Sequence, residues 1–295
     1  MICQFAPVLL SSLFFAGIAQ AAECDTRLSL PWETAGPGYS GDAVVRGASC
    51  ANAVVLFVAR RPGGEPKFDE APDKALPCNA PIALEIFPAA NVPALAKAGE
   101  KTEMTKALPA ALGAWLRAQA IPEKPANRAA LIAAVPTKGD CTVSDTLPWT
   151  AAGRGYVIDV FSDGTDCTNA ATALVIRAPD GRPLYGSATP GFIVEIYQSA
   201  LATRADMKRA LTAIETMTED TTANLPEWPE GLTDREITRG DFTTIVAESF
   251  DRTSWNALRE AGRPMLPVDP GIESTSFVVL MPDGRVVAVA RSRQN

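Results

Sequence analysis

Histidine is absent from all 295 residues. Its absence removes a Ser-His-Asp triad, a Cys-His dyad and every His-ligated metal site. It also removes the commonest general acid or base near neutral pH. No S-x-x-K, G-x-S-x-G, C-x-x-C or P-loop pattern occurs. Positive charge is in deficit: 27 Lys and Arg against 34 Asp and Glu give a net charge of −7 and a pI near 4.9. Such a balance argues against nucleic acid and against an anionic membrane surface as partners. No cofactor and no metal are implied.

Residues 1–22 lack charge altogether. Pro7 to Ile18 is mostly apolar, and Ala19-Gln20-Ala21 fits the small-residue cleavage pattern of a secretory signal. The run carries no Lys or Arg before it, and an uncleaved anchor is the competing reading, since its length nearly suffices to span a bilayer. The expectation is a signal peptide over 1–21 and an exported mature chain, periplasmic or secreted. It has no membrane attachment after cleavage. Glu23 before Cys24 argues against lipoprotein processing.

What is present is a repeat. Cys24–Phe68 aligns without a gap on Cys141–Tyr185 at an offset of 117, with about 18 identities in the first 43 positions. Cys24 and Cys50 match Cys141 and Cys167; Leu30-Pro31-Trp32 matches Leu147-Pro148-Trp149; Gly36, Gly38 and Tyr39 match Gly153, Gly155 and Tyr156. Arg60, Pro62 and Gly64 match Arg177, Pro179 and Gly181. The equal spacing predicts one disulfide per unit, Cys24–Cys50 and Cys141–Cys167; bridges between the units are the alternative pairing. Each bridge is worth roughly 3–4 kcal/mol from chain entropy. Stable bridges fit an oxidising compartment. Cys78 is left over, either free or bridging to another chain. Met281-Pro282-Asp283-Gly284-Arg285 repeats Ala178-Pro179-Asp180-Gly181-Arg182, and Leu225-Pro226-Glu227-Trp228 resembles an eroded Leu-Pro-Trp. Residues 221–295 therefore read as a diverged third unit without cysteine.

The fold expected is α+β: two homologous disulfide-stapled units, each a small antiparallel sheet plus a helix, and the diverged third. The boundaries are 22–120, a linker at 121–140, 141–220 and 221–295, with a second polar linker at 218–231. In the second unit, strands are predicted over 155–161, 171–177 and 182–187, with Pro-Asp-Gly as a hairpin turn. Phe192–Tyr197 reads as a further strand, aligned with Ala83–Phe87, and Ser199–Thr218 as an amphipathic helix. A helical stretch broken at Pro109 carries Met104, Leu108, Leu112, Trp115 and Leu116. In the third unit the reading is a strand at 242–247, a helix at 253–261, a Pro-rich connection, and a closing hairpin of 276–280 with 286–290.

Little chemistry remains. Glu85 and Glu195 match inside apolar runs, where burial would raise a carboxyl pKa; alternation of a strand between core and solvent explains them equally. Asp163-Gly164-Thr165-Asp166 faintly resembles a calcium loop but lacks further oxygen ligands and reads as a turn. The aromatic loops, Trp32 with Tyr39 and Trp149 with Tyr156, are candidate binding residues, since Trp and Tyr are enriched at binding hot spots; alternatively each Trp packs against its own disulfide. The functional expectation is an exported, non-catalytic binding protein of the bacterial envelope, or an inhibitor of an extracytoplasmic enzyme. Its partner would be a protein or another envelope ligand. The alternative is a carboxylate-dependent hydrolase acting on envelope polymer, which requires a cleft with two perturbed carboxylates.

Overall fold

The computed structural model describes residues 26–31, 40–60, 81–89, 141–164, 167, 170–190, 201, 203–215, 220–271 and 274–294. The predicted signal, Cys24, Trp32, Tyr39, Cys78, the helical stretch at 104–116, the linker at 121–140 and Glu195 lie outside them.

Runs rich in β-branched residues punctuated by Gly and Pro form strands here, as their propensity and spacing favour. The first sheet is an antiparallel meander of β1 (Thr26–Pro31), β2 (Ser40–Arg46), β3 (Val54–Arg60) and β4 (Pro81–Pro88). The second is the same meander: β5 (Val143–Pro148), β6 (Val157–Asp163), β7 (Ala171–Arg177) and β8 (Pro183–Pro190). The first three strands of each coincide at the offset of 117, residue for residue in register. The fourth strands, β4 and β8, differ by 102, because the preceding connection is longer in the first sheet. A register shift falls at the same place in both, Ala59/Arg60 and Ile176/Arg177.

Two glycines are fixed by a close approach. A Cβ on Gly47 would lie 2.6 Å from the Ala53 Cα, and one on Gly164 would lie 2.6 Å from the Ala170 Cα. No side chain fits either gap, so the same close approach requires glycine at this point in both sheets.

The second sheet is the middle layer. Alternate residues of β6 and β7 face opposite ways. Phe161, Ala171, Ala173 and Val175 meet Val44, Val54, Leu56 and Val58 of the first sheet. Ile158, Val160, Leu174 and Ile176 face α1 (Arg204–Glu215) and the third sheet, sharing a cluster with Met207, Leu211, Leu266, Val268, Val278 and Val286. Both faces of β7 are covered, which is why all seven of its residues are buried.

The third sheet has six strands in the order β10 (Glu236–Arg239), β11 (Phe242–Val246), β14 (Val286–Gln294), β13 (Ser274–Leu280), β12 (Pro264–Gly271) and β9 (Asp220–Thr221). From the β9 side, β9-β12-β13-β14 runs in the meander order of the other sheets, with β10, β11 and α2 (Arg252–Glu260) intervening after β9. The turn at 281–285 copies that at 178–182. Gly181 and Gly284 have φ of 81° and 78°, and in each the Asp Oδ1 accepts the N–H of the following Arg at 3.0 Å.

Fourteen strands in three sheets and two α-helices among the described residues overturn the α+β expectation. The protein is mainly β. Within the predicted helix at 199–218, Arg204–Glu215 is helical, and among the described residues α2 is the other α-helix. The Pro-rich connection after α2 is a strand, β12. Beyond Pro264 and Met265, which pair with β9, one edge of β12 carries no described partner, and such an edge tolerates proline because no N–H is required there. The third sheet also absorbs most of the second predicted linker. Thr222 donates to the Leu258 carbonyl at 2.7 Å, Leu225 and Trp228 are buried, and Asn256 of α2 both donates to and accepts from the Trp228 backbone.

Candidate functional site

Polar side chains inside apolar strands mark where burial must be compensated. Asp42 on β2 and Arg60 on β3 occupy such positions, and so do Asp159 on β6 and Arg177 on β7 at the offset of 117. In both sheets the Asp pairs with the Arg: Arg60 Nε donates to Asp42 Oδ2 at 2.8 Å, and Arg177 Nε donates to Asp159 Oδ2. Arg60 and Arg177 were visible as repeated residues. Their partners were missed, although an Asp repeated inside an apolar strand was signal enough.

Both pairs face the interface between the first two sheets. Arg27 on β1 donates from Nη2 to Asp42 Oδ2 at 2.6 Å, and its Nη1 lies 3.4 Å from Asp163 Oδ2. Arg60 Nη2 reaches the Asp163 carbonyl at 3.4 Å. Arg177 Nη1 donates across the same interface to the Asn52 carbonyl, and Asn52 Nδ2 donates to the Asp180 carbonyl at 3.1 Å. Arg46 stacks over the Phe161 ring, 5.2 Å from its centroid. Asp163, read as part of a turn, is thus a buried member of an ion cluster. Burial pushes its carboxyl above the ordinary value; Arg27 and Arg60 oppose that shift, and Asp42 adds to it. Asp42 is 1% and Asp163 3% exposed, so neither can reach a polymer substrate.

The aromatic loop is placed in the core. Trp149 is fully buried, in the cluster that holds Cys141 and Cys167, and packs edge-on against the half-buried Tyr156 at 6.4 Å between centroids. Its ring offers no exposed face. Cys141 and Cys167 form a disulfide; Cys50 is also disulfide-bonded, and its predicted partner Cys24 lies outside the described residues. Glu85 pairs in register with Phe57. The residue at that place in the second sheet is Ser187, opposite Leu174, so the sequence match of Glu85 to Glu195 does not follow the strands. Among the described residues no three metal-ligating side chains come together.

No family model, no curated protein and no solved structure matches this chain.

One feature points outward. Gly240 and Asp241 connect β10 to β11, and Phe242 at the start of β11 is 55% exposed, the one exposed large hydrophobic among the described residues. β10 ends the order of its sheet, and every residue of it but Ile237 is exposed.

Proposed function

We propose that the protein is an exported, non-catalytic binding protein of the cell envelope, assembled from repeated disulfide-stapled β units. It engages a protein partner through the β10–β11 hairpin. The observation that carries this reading is Phe242, an exposed aromatic beside a terminal strand. A large aromatic in water loses apolar contact that a partner would restore, and an edge strand offers backbone groups to an added strand. The partner predicted is an envelope protein presenting an extended segment. The uncharged leader and the disulfides support export.

The test is affinity capture from envelope extract with the mature chain, its Phe242→Asp variant and an Arg285→Ala control elsewhere on the same sheet. A protein retained by the first and third but lost with Phe242→Asp supports the reading. A capture profile unchanged by Phe242→Asp refutes it.

A further inference from the structure

The cluster between the first two sheets is built from matching positions. Val44, Val54, Leu56 and Val58 face Phe161, Ala171, Ala173 and Val175, which are the same strand positions displaced by 117. Ile86 and Ala188, which pack against this cluster, also correspond, opposite Leu56 and Ala173. Two sheets of one topology therefore meet through one and the same face. Such a face could equally accept the first sheet of a second copy, as a self-complementary surface does in a twofold dimer.

The residues at those positions have become complementary instead of alike. Where the first sheet carries Val54, Leu56 and Ile86, the second carries alanine. A copy of the first sheet in that place would overfill the interface, and two copies of the second would leave it underfilled. Gly186 is the sharpest case. A Cβ there would lie 2.9 Å from Ile86 Cγ2, and the corresponding residue of the first sheet is Leu84.

Charge follows the same logic. Around Asp42 the first sheet supplies two guanidinium groups, Arg27 and Arg60. Asp163 enters from the second sheet and balances them. The corresponding position of the first sheet is Arg46. A second copy of the first sheet would thus put a guanidinium where Asp163 now faces Arg27, Arg60 and Arg46, in a buried site where unpaired charge is heavily penalised.

We propose that Asp163 and Gly186 are the positions at which the first sheet distinguishes its own chain's second sheet from the first sheet of another molecule. The test gives the second sheet the residue of the first at each position, as Asp163→Arg and Gly186→Leu in the full mature chain. Each should lower the melting temperature by at least about 5 °C and raise the mass seen by light scattering above that of wild type, as apolar sheet faces open and associate. Arg27→Asp should reverse the effects of Asp163→Arg but not those of Gly186→Leu. Ile86→Ala should do the opposite. Matched reversal keeps the proposal testable even where a single variant fails to fold. Wild-type mass and melting temperature in both single variants, or losses that the matched second change does not reverse, would overturn it.

Discussion

At the scale of single residues, burial decides what each repeated position does. Asp163 holds its proton more tightly in the folded chain than an ordinary Asp does, because burial outweighs the guanidinium groups of Arg27, Arg60 and Arg46. A group whose pKa rises on folding stabilises the fold below its unfolded value, about 3.9 for Asp, and loses that contribution as pH rises through the folded value. The melting temperature of Asp163→Asn should therefore improve relative to wild type as pH is raised from about 4 through that window. Parallel melting curves across the window would show that Asp163 does not titrate differently on folding. Trp149→Ala should cost roughly 3–5 kcal/mol, the usual range for emptying an aromatic site in a core. Gly164→Ala should cost about 1–3 kcal/mol, because the added methyl meets backbone; urea titration of either variant measures the loss. These roles were only half legible in the sequence. The alignment exposed Trp149 and Gly164 as repeated, but it could not say that the Trp faces inward, since an aromatic beside a glycine-rich loop suits a core and a binding surface alike.

Elements are held by their ends and by one buried stripe. α2 begins at Asp251, whose side chain accepts the Ser254 N–H at 2.7 Å while Ser254 Oγ accepts the Asp251 N–H at 3.0 Å, a reciprocal cap. The Ser254 N–H holds the Asp251 carboxyl below its ordinary value. Stability from the cap is thus present above the unfolded pKa and lost as pH falls through the folded one. Asp251→Ala should lower the melting temperature at neutral pH and narrow its gap from wild type under acid conditions; a gap constant with pH would contradict the cap. Trp255 and Leu258 of α2 are buried, and Trp255 Nε1 donates to the Pro226 carbonyl at 2.8 Å. That bond and Arg259 Nε to the Leu225 carbonyl at 2.7 Å fasten the segment before β10. Limited proteolysis should spare 222–231, where composition alone predicts early cutting. The closing hairpin, β11 and both helices were legible because their apolar periods are clean. β12 was not, because its prolines mask a strand whose outer edge asks for few N–H groups.

For the whole molecule, the sequence shows a repeat but not how its copies sit together. Equal spacing suggests separate stapled units that melt alone. In the structure the second sheet gives one face to the first and the other to α1 and the third. The core built mainly from residues 141–220 also takes in Leu266, Val268, Val278 and Val286 of the third sheet, so the second and third sheets share it. Contacts of this kind connect residues far apart in sequence, and neither composition nor periodicity carries them. The measurement that tests this account most directly is calorimetry of a Cys141→Ser, Cys167→Ser variant. The bridge lies in the core common to the second and third sheets, so its loss should lower one cooperative transition of the entire chain by roughly 2–5 kcal/mol. A separate early transition, with the remainder melting as wild type does, would contradict the shared core.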